Sequence, residues 1–169
     1  SRVRRQRQMC IRDSLEDLNA TLWSDCQLMA RKASITAKDL SLMSCEEQQS
    51  YFDGHPKFAF NKGRRGWGSE DLRRYAPESQ QAFQLGWVAV HNDILQVSTN
   101  QEVNWGQLVE SAVNKADIDQ MHTVVAGLEK DAADYHFVPV HPWQWRNKLA
   151  LLFTREQACK QLIYLGEFG

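Results

Sequence analysis

The chain has 169 residues, of which 43% are hydrophobic and 24% are charged, and its formal net charge is −1. These values are typical of a folded globular protein and disfavour a disordered chain or a strongly basic nucleic-acid-binding domain. No apolar run approaches the roughly 20 residues of a membrane-spanning helix, and the four cysteines lack the spacing of a zinc site or a disulfide framework. We therefore expect a cytoplasmic protein without a metal site of its own.

The first fourteen residues, SRVRRQRQMCIRDS, contain five arginines, while the rest of the chain is acidic. The segment shows neither a helical nor a strand period. We interpret residues 1–14 as a non-native or disordered leader. A basic tail that contacts nucleic acid or an anionic membrane is the alternative left open.

Residues 15–52 are predicted to be mostly helical. Residues 15–31 carry apolar side chains at helical spacing, and Ser14 with Asp17 suggests an N-cap. The same start signal recurs at Thr36 with Asp39 and at Ser44 with Glu47. The apolar face expected to be buried consists of Leu15, Leu18, Leu22, Cys26 and Met29.

Residues 53–169 are predicted to form a mixed domain. A glycine-rich loop precedes a short helix that begins at Ser69, and residues 83–91 alternate as a half-buried strand. Residues 104–131 return to a helical period. Then "FVPV" predicts a short strand, and Pro139 indicates that it lies at a sheet edge or a strand end. Pro142 fits a first helical turn, Thr154 with Gln157 suggests a capping box, and "QLIYL" predicts a last strand.

The glycine-rich loop "GHPKFAFNKGRRGWG" is the first candidate binding site. Gly63 and Gly66 leave the backbone accessible, and Lys62 and Arg64 add cationic donors. Such a loop can hold a phosphate or a carboxylate, although a solvated basic turn explains the same residues. The loop does not follow the P-loop pattern.

The second candidate is "VPVHPWQW". The residue before a proline is held out of the helical region, so His141 is expected at a strand-to-helix corner, where Trp143 and Trp145 can wall a cleft. Core tryptophans and a structural histidine are the alternative interpretation. His136 and His141 lack a third ligand, which disfavours a metal site.

Taken together, the two motifs resemble the IucA/IucC family of NRPS-independent siderophore synthetases. The resemblance lies in Gly54, His55, Pro56, Lys62, Arg64 and Gly66, in "YAPE" at 75–78, and in "VPVHPWQW", and it extends from about Tyr51 to Gly169. The branch that couples hydroxamate units, of the alcaligin, putrebactin and bisucaberin type, looks closest. Phe58 and Ala59 stand where many relatives have a second His-Pro.

The resemblance implies an ATP- and Mg²⁺-dependent ligase that adenylates a carboxylate and condenses it with an amine or hydroxamate substrate. It assigns catalysis to His141 and Arg64, and it assigns binding of ATP and the substrate anion to His55, Lys62, Gly63, Arg64, Gly66, His141 and Trp143. It also implies a homodimeric parent enzyme, with no nucleic-acid or membrane partner. Both motifs are expected to face one shared site.

The expected fold is α+β, with a helical N-terminal portion followed by a mixed lobe with antiparallel strands. We expect the chain to be an incomplete fragment of a larger enzyme and to be inactive alone. Its divisions are a leader at 1–14, a thumb-like helical segment at 15–52 and a fingers-like domain at 53–169. A non-catalytic module that binds carboxylate or phosphate is the alternative.

Overall fold

The computed structural model describes residues 2–55, 57–99 and 103–169, with side chains from residue 9 onward. Ser1 of the predicted leader and Pro56 of the first motif lie outside the described residues. The chain divides into two compact units, Ser1–Phe83 and Gln84–Gly169. The first unit is helical and the second combines helices with a sheet, which confirms the α+β class. The predicted division at 52/53 stays a prediction.

The described residues of the first unit form four α-helices and a 3₁₀ turn. They are α1 (Arg2–Lys32), α2 (Ala37–Leu42), α3 (Cys45–Gln49), α4 (Ser69–Tyr75) and the 3₁₀ turn Pro77–Ser79. The predicted N-caps of α2 and α3 are confirmed, because Thr36 and Ser44 each form a capping box with the acidic residue three positions later. The predicted start of α4 at Ser69 is confirmed as well.

Helix α1 begins at Arg2, so the prediction that residues 1–14 lack helical structure is wrong for the described part of that segment. The segment contains arginine, glutamine and methionine, which favour helix, and no glycine or proline. Ser14 is not an N-cap, because its hydroxyl donates to the carbonyl of Cys10 at 2.9 Å inside the helix. Arg12 and Glu16, one turn apart, form an ion pair at 2.9 Å.

The buried face of α1 also differs from the prediction. Leu15 is 54% exposed and Met29 is 72% exposed, although both belong to the predicted apolar face. The buried positions are mostly small or polar: Ala20, Thr21, Ser24 and Leu28. The apolar period predicted the helix but not its buried face. The polar face is the one that packs on the glycine-rich loop, because its carboxylates form ion pairs with cations of that loop.

The second unit is built on a three-stranded antiparallel sheet with strand order β2-β1-β3. Its elements are β1 (Leu85–His91), α5 (Trp105–Ala112), α6 (Lys115–Ala126), the 3₁₀ turn Ala132–Asp134, β2 (Tyr135–Val140), α7 (Pro142–Gln144), the π-helical turn Trp145–Leu149, α8 (Ala150–Leu152), α9 (Thr154–Ala158) and β3 (Leu162–Phe168). Strand β2 lies at an edge of the sheet, as Pro139 predicted.

Helices cover both faces of this sheet. Trp87 and Ala89 of β1 pack with Met121 and Val125 of α6, whereas Val88 and Val90 pack with Trp145 on the opposite face. Strand β1 is therefore buried on both sides, and the prediction of a half-buried strand is wrong. Strand β1 is the central strand of the sheet, and other residues pack against both of its faces. Side chains that alternate along β1 are therefore buried on either face.

Two further predictions concern the C-terminal elements. Pro142 occupies the first turn of α7, as predicted. The capping box of Thr154 and Gln157 is wrong, because both side chains donate to carbonyl groups of the preceding helical turn, including that of Ala150. Among the described residues, no helix is long and apolar enough to span a membrane.

Candidate functional site

The glycine-rich loop of the first unit lies against α1 and is held there by ion pairs. Lys62 is only 6% exposed, and its Nζ contacts Oδ1 of Asp25 at 2.5 Å. A lysine this deeply buried requires a counter-ion, because an unpaired charge away from water is costly. Asp25 belongs to α1, so this pair joins the loop to the helix.

Arg64 makes the second attachment. Its Nη2 lies 3.1 and 2.8 Å from the two carboxylate oxygens of Glu78, which is 8% exposed. Its Nη1 donates to the hydroxyl of Ser24 on α1 at 3.1 Å, and the guanidinium lies over the ring of Trp67. Arg64 thus connects the loop, α1 and the 3₁₀ turn that contains Glu78.

Two glycines allow the loop to follow this path. A Cβ atom at Gly63 would lie 2.7 Å from Oδ1 of Asp17 on α1, so only glycine fits there without a shift. Gly66 has φ of +79°, a conformation that favours glycine. The space beside Gly63 is occupied by Asp17, which also pairs with Arg65 at 3.7 Å.

His55 lies at the start of the same loop and is exposed. Its Nδ1 accepts a hydrogen bond from the backbone N–H of Lys57 at 3.3 Å. The side chain of Asn61 donates to the carbonyl groups of His55 and Asp53, which ties the turn around His55 to the loop. The structure therefore brings His55, Lys62 and Arg64 into one connected segment.

The electrostatic balance of the loop differs from the expectation based on its sequence. Lys62 and Arg64 are each paired with a carboxylate, and Arg65 lies near a third. Either cation can contact a substrate anion only by exchanging its present partner. The role of Lys62 and Arg64 as anion ligands stays a prediction. In the structure their side chains hold the loop against α1.

In the second unit, His141 lies at the corner between β2 and α7, where its sequence position predicted it. It is the N-cap of α7, and its Nδ1 accepts the backbone N–H of Trp143 at 3.1 Å. Because Nδ1 accepts, the proton of the neutral ring is on Nε2. His141 thus has a fixed tautomer with an N–H donor.

Burial lowers the pKa of His141 below its ordinary value of 6.5, and the positive charge of Arg146 lowers it further. Desolvation penalises the charged ring, and a neighbouring cation repels it. His141 is therefore held as the neutral imidazole near pH 7. In this state it can donate a hydrogen bond from Nε2 to a carboxylate, acyl or phosphate oxygen.

Trp143 and Trp145 are buried rather than exposed in an open cleft, at 7% and 6% exposure. Trp145 stacks on Tyr164 of β3 with ring centroids 4.7 Å apart, and Lys148 lies over the ring of Trp143. The helix takes a π-helical turn at Trp145–Leu149, a rare feature that is frequent at functional sites. These contacts fix the corner that contains His141.

The predicted residues thus fall into two groups, His55 to Gly66 in the first unit and His141 with Trp143 in the second. The shared site stays a prediction. Sequence reasoning missed Asp25 and Glu78, the partners of the loop cations. The polar helical spacing of Asp17, Thr21, Ser24 and Asp25 was the signal that could have revealed a polar buried face. Within the described ranges, no three His, Cys, Asp or Glu side chains are placed to hold a metal ion.

The fold and the two motifs agree with one protein family. The family model described as "IucA / IucC family" matches residues 43–169, and the chain belongs to this family. The chain is 48% identical to the aerobactin synthase of Vibrio mimicus over 93% of its length and 27% of that protein. It is 34% identical to the putrebactin synthase of Shewanella sp. (strain MR-4) over 90% of its length and 24% of that protein.

Solved structures share the fold. Aerobactin synthetase IucC from a hypervirulent pathotype of Klebsiella pneumoniae superimposes with a TM-score of 0.85 at 38% identity, over 94% of this chain and 29% of that one. The structure of ATP-bound aerobactin synthetase IucA from the same pathotype has a TM-score of 0.62 at 19% identity, over 95% and 28% of the two chains, and shows the fold alone. The chain spans about a quarter of the length of the curated relatives it matches.

Proposed function

We propose that the full-length protein containing these residues is an ATP-dependent carboxylate–amine ligase of siderophore biosynthesis. A carboxylate oxygen attacks the α-phosphorus of ATP, pyrophosphate leaves, and an acyl adenylate forms. An amine nitrogen then attacks the acyl carbon, the acyl C–O bond breaks and AMP leaves, so that an amide results. The observation that carries the proposal is the 48% identity to an aerobactin synthase over 93% of the chain.

The choice of substrates is also a proposal. The amine component is proposed to be a hydroxamate-bearing amine, such as N-hydroxy-N-succinyl-putrescine or its cadaverine analogue. Membership of the family that contains aerobactin and putrebactin synthases supports a siderophore product. The identity to the aerobactin synthase is higher than that to the putrebactin synthase, so a polycarboxylate such as citrate is tested beside the succinyl hydroxamates.

His141 is proposed to donate a hydrogen bond from Nε2 to an oxygen that gains negative charge during adenylation. The bond from the N–H of Trp143 fixes the tautomer, and burial with Arg146 lowers the pKa of His141, so the ring donates without being charged. A donor aimed where charge develops stabilises the transition state more than the ground state. Trp143 is proposed to shape the wall of the site.

The glycine-rich loop is proposed to bind the anionic reactants through its cations. Lys62 and Arg64 would offset the repulsion between a carboxylate and the phosphates of ATP, a role in which each exchanges its carboxylate partner for the substrate. His55 would donate from Nε2, because its Nδ1 accepts the N–H of Lys57. Gly66, with its positive φ, gives the loop its turn.

ATP and Mg²⁺ belong to this proposal. The use of ATP is proposed from membership of the IucA / IucC family, whose member aerobactin synthetase IucA has a structure described as ATP-bound. Magnesium supplies charge neutralisation when it is bound to the phosphate oxygens of the nucleotide. The homodimeric state and the cytoplasmic location of the parent enzyme are retained as proposals.

The direct test is pyrophosphate release by the full-length protein in the presence of ATP, Mg²⁺ and a carboxylate. We expect release with citrate or with a succinyl hydroxamate, and amide product only when an amine is added. His141→Ala is the test variant, and Arg155→Gln, an exposed change on α9, is the control. No release with any polycarboxylate or hydroxamate acid would refute the proposal.

A further inference from the structure

One side of helix α1 carries a row of exposed apolar side chains. Leu15, Leu22 and Met29 are each more than half exposed. Cys26 is exposed as well, and Leu18 is half-buried. At about 100° per residue, these five positions fall within about 80° of one another around the helix axis. We call them the apolar stripe: Leu15, Leu18, Leu22, Cys26 and Met29.

The roughly opposite side of α1 is the packed one. It includes Ala20, Thr21, Ser24 and Leu28, all of which are buried, and it is flanked by the carboxylates that pair with the glycine-rich loop. A helix of a globular protein normally packs its apolar side and exposes its polar side. In α1 this arrangement is inverted. Contiguous apolar patches on protein surfaces often mark interaction sites, so we expect the complete protein to cover the stripe.

The stripe belongs to the part of the chain that is shared with its relatives. The alignment with the aerobactin synthase of Vibrio mimicus covers 93% of the chain. Even if every residue outside the alignment preceded it, Leu15 and the residues after it would be included. The same alignment covers 27% of that relative, so most of a protein of this kind lies outside the chain and can supply a partner for the stripe.

The shape of the stripe favours a helix as this partner. Its five positions are three or four residues apart, which is the spacing of contacts between two packed helices. From Leu15 to Met29 the stripe is about 21 Å long, at about 1.5 Å per residue. At one end lies a hollow of about 340 Å³, whose lining includes Leu15, Leu18 and Phe60 of the glycine-rich loop. A side chain of the partner can insert there, as knobs insert into holes between helices.

The size of the stripe favours a helix of the same polypeptide over a second copy of the chain. Interfaces between separate proteins usually involve about 20–30 residues on each side, many more than the stripe supplies. The stripe spans about two heptads, whereas free coiled coils typically sustain about three or four. A helix that is covalently linked is present at a high effective concentration, so a short row of contacts is enough to hold it.

We propose that the apolar stripe docks an amphipathic helix from the part of the full-length protein that lies outside these 169 residues. The docked helix presents apolar side chains at three- and four-residue spacing to the stripe. It thereby fixes α1, the helix to which Lys62 and Arg64 are attached. The inference does not rest on the proposed function, because it involves neither His141 nor a substrate.

Cysteine labelling of the full-length protein tests this surface, because Cys26 is part of the stripe. The protein is treated with a maleimide, and peptide mass spectrometry gives the labelling rate of each cysteine in the folded protein and in urea. We expect Cys26 to react at least about tenfold more slowly in the folded protein than in urea. Leu22→Cys, on the stripe, should be protected to a similar degree. Gln27→Cys, an exposed position on another side of α1, is the matched control and should react at close to its rate in urea.

The wild-type measurement decides the matter even if a variant does not fold. Docking is overturned if Cys26 reacts within about twofold of its rate in urea, or if Gln27→Cys is as protected as Cys26. Photo-crosslinking from Met29, replaced by photo-methionine, then identifies the partner. We expect a crosslink to a peptide of the same polypeptide with apolar residues at three- and four-residue spacing. A crosslink to α1 of a second copy, or to a peptide without this spacing, overturns the proposal.

The labelling experiment also separates this inference from the proposed function, because it needs neither ATP nor a carboxylate. If Cys26 is protected in a protein that releases no pyrophosphate, the docking surface stands and the ligase proposal fails. If the protein releases pyrophosphate but Cys26 reacts as it does in urea, the ligase proposal stands and the docking surface is overturned.

Discussion

The Nδ1 atom of His141 accepts the backbone N–H of Trp143 at 3.1 Å, two residues further along the chain. His55 has the same relationship with Lys57 at 3.3 Å. Both histidines precede a proline in the sequence. The contact fixes each neutral ring with its proton on Nε2, so both candidate histidines are hydrogen-bond donors in the same tautomer.

The first prediction concerns the donor function of His141. His141→Ala is expected to lower kcat/KM for pyrophosphate release by about 10²-fold, the usual cost of losing one donor to developing charge. His141→Gln places an amide N–H near the position of Nε2 and is expected to recover part of the loss. Steady-state kinetics of both variants provide the measurement, and equal activity of His141→Ala and wild type would remove His141 from the mechanism.

The pKa of His141 gives a second prediction. Because burial and Arg146 lower this pKa in the folded state, the unfolded state binds the proton more readily. The contribution of the neutral ring to stability is fully present above the ordinary value of 6.5 and is lost as the pH falls through the lowered pKa. Denaturation midpoints measured from about pH 7 to about pH 5 should therefore fall more for wild type than for His141→Gln. Parallel curves would contradict the assigned shift.

The pair between the buried Lys62 and the partly exposed Asp25 leads to a third prediction. Asp25→Asn leaves the buried ammonium without its counter-ion and is expected to lower the free energy of unfolding by about 1–3 kcal/mol. Arg65→Gln is the control, because Arg65 is 78% exposed and lies 3.7 Å from its partner. It should cost less than about 0.5 kcal/mol. Urea denaturation measures both, and similar values for the two variants would contradict the ranking.

Gly63 tests how closely the loop approaches α1. Gly63→Ala places a methyl group 2.7 Å from Oδ1 of Asp17, so either the loop or the Asp17 side chain must move. We expect a loss of about 1–3 kcal/mol, the typical cost of overpacking. At Gly68 the nearest atom to an added Cβ is 3.8 Å away, and Gly68→Ala should be better tolerated. Hydrogen exchange at the backbone amides of the loop residues next to Gly63 would show whether the loop has moved.

Glu78 tests the predicted anion-binding role of Arg64. Glu78→Gln removes the carboxylate that pairs with the guanidinium, and should destabilise the first unit by about 2–3 kcal/mol. If Arg64 binds substrate anions by exchanging Glu78, the variant should also bind phosphate more tightly, because that competition is gone. Reduced stability with unchanged phosphate affinity would instead limit Arg64 to holding the loop.

In the second unit the two proline signals agree with the structure, whereas the capping signal of Thr154 with Gln157 does not. Proline has no backbone N–H and a fixed φ angle, whatever the tertiary contacts. These properties favour an edge strand for Pro139 and a first helical turn for Pro142. The burial of β1 on both faces could not be predicted in this way. It depends on the helices that cover the second face, and those helices come later in the chain.

The first unit shows the opposite case. The capping boxes of α2 and α3 are local and were predicted, whereas the buried face of α1 was not. Hydrophobic periodicity favours Leu15 and Met29, but the tertiary contacts bury Ser24 and Thr21. The reason is the pairing of Asp25 with Lys62, a contact between positions 37 residues apart that no local pattern encodes.

The most direct test of the account follows oxygen atoms from the carboxylate. The full-length protein is incubated with ATP, Mg²⁺, an amine and a carboxylate substrate labelled with ¹⁸O, and the nucleotide products are analysed by mass spectrometry. Attack on the α-phosphorus predicts pyrophosphate and AMP that carries one ¹⁸O atom from the carboxylate. Formation of ADP with ¹⁸O in inorganic phosphate, or of unlabelled AMP, would contradict activation through an acyl adenylate.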